Sequence, residues 1–358
     1  MNNIIPSTTI GLDLGDTKHA ICALNAGGEI IDERTITNHR ESLRRLSQKY
    51  PDARIALEVG THSPWISRFL KDLGHEVIVA NPRKLRAIYA SDRKSDKNDA
   101  RIIARIARMD PELLYPIQHG SESSQRDLLH MKMRDTLVRQ RVCIINSVRF
   151  TLKSLGTILP KTPSSDYFAK RYRSFLEENN KDLLEMLEPM LQVLDTMSVK
   201  IKEMDKTIEK LCAEKYPVTE RLRQICGIGP VTALNFVLVI EDPERFANPR
   251  DVGAYLGLVP RRDQSGALDK KLRISKAGDA YLRQLLVGSA QHLLGPFGKD
   301  CDLRRHGLML AARGGKPTKK QAVVAIARKL AVLMLVLWKH GKDYEPLRNE
   351  PLEPAKAA

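Results

Sequence analysis

Ile10-Gly11-Leu12-Asp13-Leu14-Gly15 decides how the first third of this chain is read. It is an apolar run with one carboxylate near its end. A second run, Ile55-Ala56-Leu57-Glu58-Val59-Gly60, repeats the arrangement. Both read as buried strands that end on an acid. A carboxylate there is costly unless it is paired, hydrogen-bonded or bound to a cation. Two more acids, Asp96 and Asp99, stand three apart at the start of a predicted helix, so they share one face. Four such groups brought together would repel one another without a divalent metal. That combination points to phosphodiester chemistry.

Working outward, residues 8–24 predict two short strands around a turn at Asp16-Thr17-Lys18, and Gly27-Gly28 predicts a hairpin into a third strand near 29–36. Helices at 39–49 and 64–73, strands at 54–59 and 77–80, and helical segments at 82–90 and 96–108 complete the unit. Three strands followed by alternating helices and strands is the order of a ribonuclease-H-like α/β domain, here residues 1–120.

Residues 121–215 read as a helical, coiled-coil region broken by Leu159-Pro160-Lys161-Thr162-Pro163-Ser164-Ser165. Its second arm carries Leu183, Leu187, Met190, Leu194, Met197, Ile201, Met204, Ile208 and Leu211 in alternating steps of four and three, a coiled-coil seam. Pro189 interrupts it locally. The seam serves either an antiparallel hairpin inside one chain or an assembly of subunits. The first arm carries basic residues among its apolar ones, Arg134, Arg141 and Arg149 included, which suits a surface for phosphate backbones.

Residues 216–343 form a third, mainly helical region. Cys226-Gly227-Ile228-Gly229-Pro230 before an apolar stretch reads as a helix-hairpin-helix turn, where Gly227 and Gly229 let backbone N–H groups approach a phosphate. The same segment also reads as a plain tight turn between packed helices. Further on, Ser265 sits in a polar loop flanked by Arg261, Arg262, Lys270, Lys271 and Arg273, followed by Lys276 and Arg283. A serine hydroxyl is a weak nucleophile until a base or metal activates it. No histidine is near it in sequence, which argues against a hydrolase triad. Cations there suit the charge of a scissile phosphate. Residues 344–358, charged and Pro-rich, read as a flexible tail.

Composition agrees. The chain has 358 residues and a formal net charge of +16, an imbalance that usually means a polyanionic partner. Its five cysteines form no Cys-x-x-Cys pair, which argues against a zinc site or disulfide framework and fits a reducing cytoplasm. The N-terminus lacks the pattern of a signal peptide. Ala322–Trp338 is interrupted by Arg328 and Lys329 and reads as a buried helix, not a membrane span.

The whole pattern resembles the DEDD-class insertion-sequence transposases, also described as bridge-RNA-guided recombinases, whose N-terminal domain is similar to the Holliday-junction resolvase RuvC. The matching residues are Gly-Leu-Asp13-Leu-Gly, Ala-Leu-Glu58-Val-Gly-Thr-His, Asn-Pro-Arg-Lys-Leu-Arg and Lys-Ser-Asp96-Lys-Asn-Asp99-Ala-Arg. Further along they are Gly-Ile-Gly-Pro, Arg245-Phe246, Tyr-Leu-Gly-Leu-Val-Pro, Gln-Ser265-Gly and Lys-Ala-Gly-Asp-Ala-Tyr-Leu-Arg. The resemblance spans roughly residues 8–340 and implies a RuvC-like fold, a coiled-coil middle and a C-terminal transposase domain.

It also implies that Asp13, Glu58, Asp96 and Asp99 bind Mg²⁺, with Mn²⁺ as the alternative, and that Ser265 is the nucleophile of a covalent phosphoserine intermediate. The implied partners are donor and target DNA, a structured noncoding guide RNA, and further copies of the chain as a dimer or tetramer on DNA, at a bacterial nucleoid. Two related readings share the acidic site: a site-specific DNA invertase of the same superfamily, and a junction resolvase that uses water.

Overall fold

The computed structural model describes residues 6–81, 95–162, 164–265 and 268–349; for Arg262, Asp263, Ser265 and 268–271 it describes the backbone alone. The chain divides into two compact units, Met1–Gly120 and Ser121–Ala358.

Unit one is built on strands β1 (Thr8–Leu14), β2 (Lys18–Asn25), β3 (Ile30–Thr37), β4 (Arg54–Glu58) and β5 (Glu76–Ala80). Their order in the sheet is β3-β2-β1-β4-β5. The β1–β2 and β2–β3 pairs are antiparallel, while β1–β4 and β4–β5 are parallel. The antiparallel pairs need only short turns. Each parallel pair needs a crossover, and helices α1 (Arg40–Lys49) and α2 (Ser63–Asp72) supply them.

The period-two alternation of β1 sorts its side chains onto two faces. Ile10 and Leu12 join Leu43 and Leu46 of α1 and Ile66 and Leu70 of α2 in one core. Each fully buried Leu or Ile there contributes about 1.5–3 kcal/mol of apolar transfer. The opposite face takes helix α3 (Asp96–Met109), whose Ala100 and Ala104 pack on Ala20, Cys22 and Leu24. Its other small side chains bring the axis close: Ala107 lies with Ala56 and Ala80 in the adjoining cluster. The helix predicted over 82–90 lies outside the described residues.

Unit two opens with α4 (Glu122–Ser154), α5 (Phe168–Asn179) and α6 (Lys181–Glu214). The seam is closed within the chain: Leu191 and Leu194 of α6 pack with Ile145, Val148 and Leu152 of α4 and Phe168 and Tyr172 of α5. Leu194, Ile201 and Ile208 of the predicted seam are buried, but Met190 is 38% exposed and Leu191 takes its place in the core. The helix continues through Pro189. Met131 of α4 and Ile208 of α6 share a further core with Leu234 and Leu238, so the helical arms and the C-terminal helices are packed as one unit.

Helices α7 (Val218–Arg223), α8 (Pro230–Ile240), α9 (Asp251–Tyr255), α10 (Ala280–Leu294), α11 (Asp302–Ala311) and α12 (Lys316–His340) surround the largest apolar cluster. By length and composition α12 passes for a membrane span. Ile326, Leu330, Met334 and Leu335 instead lie fully buried among Phe236, Leu282 and Leu286. Residues 344–349, read from sequence as the start of a free tail, are held in place. Tyr344 packs on the core and its N–H donates to Gln224 Oε1 at 2.8 Å, while Asn349 Nδ2 donates to Asp302 Oδ2 at 2.8 Å. One aromatic anchor amid polar residues was too weak a signal to see in sequence.

The stretch around Ser265, read as a loop, is a two-stranded antiparallel hairpin of β6 (Pro260–Ser265) and β7 (Leu268–Ile274). β6 is polar beyond Pro260, and the apolar positions of β7, Leu268, Leu272 and Ile274, are interrupted by Lys270. The alternation that betrays a half-buried strand is therefore partial in β7 and missing from β6, and main-chain pairing defines the hairpin.

Candidate acidic site and basic hairpin

Asp13 and Glu58 end neighbouring parallel strands. The β1–β4 register runs to Leu12↔Leu57, so the next residue on each strand is one of the two acids. Asp96 and Asp99 come from the first turn of α3. Ser95 caps that turn by accepting the Asn98 N–H at 3.3 Å, and the helix N-terminus favours negative charge there.

Electrostatics show that the four acids share one neighbourhood. The Asp13 carboxyl is pushed up from 3.8 to about 6, first by burial, then by the charges of Asp96, Asp99 and Glu58 in that order; the Leu14 N–H opposes the shift. Among the described residues no three His, Cys, Asp or Glu side chains are close enough to hold a metal ion between them. The carboxylates are thus neighbours, not a closed cage. An all-oxygen, open set of this kind fits Mg²⁺, which keeps several waters and takes few protein ligands directly.

Position along α3 is set by contacts that sequence reading missed. A Cβ on Gly11 would lie 2.0 Å from the Ala100 carbonyl oxygen and 2.6 Å from the Ala104 nitrogen, so helix and strand touch main chain to main chain. A glycine inside a strand is the signal for such an approach. Arginines then pin the helix along its length. Arg101 bonds to Glu33 of β3, with Nη2 to Oε2 at 2.7 Å. Arg54 of β4 donates to the Ala107 carbonyl at 3.0 Å, and Arg108 to the Ala26 carbonyl at 3.0 Å.

In unit two the base of the Ser265 hairpin is an interlock of two glycines. Gly257 and Gly278 both have φ of +66°, and a Cβ on either would sit 2.2 Å from main chain of the other's segment, at Ala277 N and Tyr255 O respectively. Both conformation and space therefore require glycine. The Ser275 N–H donates to the Val259 carbonyl at 2.9 Å and the Lys276 N–H to Gly257 at 3.1 Å, fixing where the two strands leave the core. Ser265 pairs with Leu268 at the far end of β6; its side chain, and that of Arg262, lie outside the described residues.

The expected nucleic-acid contacts divide in two. Arg134 bonds to Asp205, and Arg141 to Asp166 and to Ser198 Oγ at 3.1 Å; both are engaged inside the helical arms. Arg149 stands over the Phe168 ring at 5.2 Å. Arg283 donates from one nitrogen to the carbonyls of Ala277 at 2.6 Å and Leu256 at 3.0 Å, so it braces the hairpin base. Arg283→Met, which keeps the stem and loses the donors, is expected to lower stability by about 2–3 kcal/mol. An unchanged urea midpoint would refute that bracing role.

Gly227, Lys276 and Arg283 line one cavity of about 780 Å³ with Thr232, Gln284 and His292. Gly227 has φ of +85°, and Gly229 precedes the N-terminus of α8 with nothing within 4 Å of its notional Cβ. Arg261 and Arg273 are exposed on the hairpin strands.

Two family models and several relatives match the chain. Residues 10–156 match a transposase family model of the DEDD, IS110 type, and residues 219–299 match the model described as "Transposase IS116/IS110/IS902 family". Residues 157–218 lie between the two matches. A "Probable family 20 transposase" of Pseudomonas aeruginosa is 27% identical, aligned over 94% of this chain and 98% of its own length. The "Transposase for insertion sequence element IS1328" of Yersinia enterocolitica is 29% identical over 79% of this chain and 83% of its own. The "Pilin gene-inverting protein" of Moraxella bovis is 22% identical over 96% and 99%.

Matches of this kind define a DNA transposase, an enzyme of strand cleavage and exchange. The chain belongs to the IS110 family of DEDD transposases.

Proposed function

We propose that this transposase cuts and rejoins DNA through Mg²⁺ held by Asp13, Glu58, Asp96 and Asp99, with Ser265 as the nucleophile. The observation that carries the reading is geometric: Asp13 and Glu58 follow paired residues on adjoining strands, Asp96 and Asp99 open α3, and burial with these three charges raises the Asp13 carboxyl to about 6. Such crowding is unfavourable in a bare protein and is relieved by a cation. The β3-β2-β1-β4-β5 sheet with acids at the ends of β1 and β4 supports a RuvC-like, ribonuclease-H-like reading of unit one.

When bound, Mg²⁺ supplies charge neutralisation at the scissile phosphate. The Ser265 Oγ gives up its proton and attacks phosphorus. A P–Oγ bond forms, the P–O bond to deoxyribose breaks, and the displaced sugar oxygen takes a proton. The phosphoserine link conserves the ester bond, so a second sugar hydroxyl can reverse the step and join a new strand without ATP. Arg261 and Arg273, exposed on the hairpin that carries Ser265, suit the phosphates to either side.

A structured noncoding RNA selects the DNA in this reading, with base pairing giving sequence and the protein gripping backbones, as RNA-guided systems do. The enzyme works as a dimer or tetramer on DNA. Exposed Met186, Met190 and Val193, one turn apart along α6, suit such a contact.

The test is a covalent adduct. Protein, RNA, matched DNA and Mg²⁺ should give a protein–DNA band on a denaturing gel. Ser265→Ala should lose the band yet still bind DNA. An undiminished band excludes Ser265, and DNA cleavage with no adduct favours a resolvase using water. The full-length likeness to the pilin gene-inverting protein favours one second reading, inversion by the same chemistry. Gene-flanking DNA separates the two: a foldable RNA with loops complementary to the element's junctions supports transposition, and an adjacent invertible segment supports inversion.

A further inference from the structure

The end of the helical arms, residues 149–178, has a surface that the acidic site and the Ser265 hairpin do not use. Three segments meet there: the last turn of α4, the Pro-rich break, and the start of α5. Four exposed cations lie on it, Lys153, Lys161, Lys170 and Arg171, none of them in an ion pair among the described residues; Lys153 Nζ stands 5.5 Å from the centre of the Phe150 ring. Three nearby acids are spent on other arginines, while Glu177 and Glu178 stay exposed on α5. Asp166 pairs with Arg141, and Glu188 and Asp195 both pair with Arg173.

Large apolar side chains project from the same surface. Phe150 is 68% exposed, Tyr167 58% and Ile158 79%. Single exposed side chains of that kind are ordinary; these stand beside four cations and two concavities. Two concavities flank Pro160. One of about 510 Å³ is lined by Tyr167, Lys170, Arg171, Ser174 and Phe175, with Glu178 as its one acid. The other, about 380 Å³, is lined by Arg149, Lys153, Lys161 and Thr162.

Lys170 and Arg171 beside the exposed Tyr167 ring match a strand whose phosphates lie on the cations and whose base stacks on the ring. Duplex DNA leaves the rings without a partner, because its bases are already stacked. A protein partner would need acids matched to this surface. An anionic lipid surface has the same charge but no flat rings for Tyr167 to stack on. Strand exchange by a DNA transposase exposes unpaired DNA, so the occupant that fits both surface and enzyme is a DNA single strand.

We propose that this surface, centred on Tyr167 and Lys170, docks single-stranded DNA during strand exchange. The proposal is independent of the Ser265 chemistry, and its test runs in EDTA, where no strand is cut. Full-length protein is mixed with oligo-dT carrying 5-iodouracil, irradiated, digested and mapped; the crosslink is expected on the peptide holding Tyr167 or Phe150. In fluorescence anisotropy Tyr167→Ala is expected to weaken oligo-dT binding about tenfold and Tyr167→Phe to leave it unchanged. The triple variant Lys161→Ala, Lys170→Ala, Arg171→Ala should also flatten the salt dependence.

All four substituted positions are exposed, and circular dichroism checks that the variants keep their helix content. Crosslinks confined to other peptides overturn the proposal, as does an unchanged affinity in Tyr167→Ala. Tighter binding of oligo-U than oligo-dT at this surface overturns the choice of DNA. So does Tyr167-dependent sedimentation with phosphatidylglycerol vesicles.

Discussion

Asp13→Asn is expected to reduce DNA strand cleavage to below about a thousandth of the parent rate while making the metal-free protein more stable. Loss of cleavage follows from removing the acid at the centre of the cluster. The stability gain follows from its titration. In the folded chain the Asp13 carboxyl holds its proton up to about pH 6, against 3.8 for the ordinary group. Below pH 3.8 both folded and unfolded chains are protonated there, and the residue has no effect on stability. Between 3.8 and 6 the folded chain binds more proton, so stability falls as pH rises; above 6 the full penalty stands.

Two pKa units correspond to about 3 kcal/mol, and partial exposure of the site reduces this to about 1–3 kcal/mol. Asn carries no such penalty. Melting curves in EDTA should therefore separate variant from parent above pH 6 and bring them together in acid. Added Mg²⁺ should raise the parent's melting temperature and leave the variant's unchanged. A variant that melts below the parent at neutral pH in EDTA, or that still cuts DNA, would contradict this account.

Gly11→Ala is expected to be as severe through packing alone. The new methyl would meet the Ala100 carbonyl at 2.0 Å and the Ala104 nitrogen at 2.6 Å. Both are main-chain atoms in mid-helix, so no rotamer change relieves the clash. Helix α3 must lift from the sheet, opening the layer of Ala100, Ala104, Cys22 and Leu24. Overpacking of this kind costs about 3 kcal/mol or more. Cleavage should fall with stability, because Asp96 and Asp99 ride on the displaced helix. Gly60→Ala is the control, since a Cβ there has nothing within 4 Å. Equal urea midpoints for parent and Gly11→Ala would show that the helix is not seated as described.

Much of unit one was legible in sequence because its strands carry clear apolar runs and its turns carry Asp, Gly and Asn. Asp13 and Glu58 could be paired in advance, since each closes such a run. What sequence could not give was the third dimension of the site. Gly11 was visible as a residue, but not the helix carbonyl above it. Arg134 and Arg141 were read as free cations because their partners, Asp205 and Asp166, lie 71 and 25 positions away. Arg283 carries the same lesson, its partners being backbone carbonyls that no side-chain pattern announces. The Ser265 hairpin escaped because β6 is polar beyond Pro260 and Lys270 breaks the apolar alternation of Leu268, Leu272 and Ile274.

The seat of α3 on Gly11 also bears on descent. Because the contact is between peptide groups, the gap between strand and helix is set by atoms that every residue possesses. Substitutions around the helix can accumulate without changing that gap, provided position 11 stays bare and positions 100 and 104 stay small. Lineages of such a protein can then drift widely in sequence while the four acids keep a common gauge.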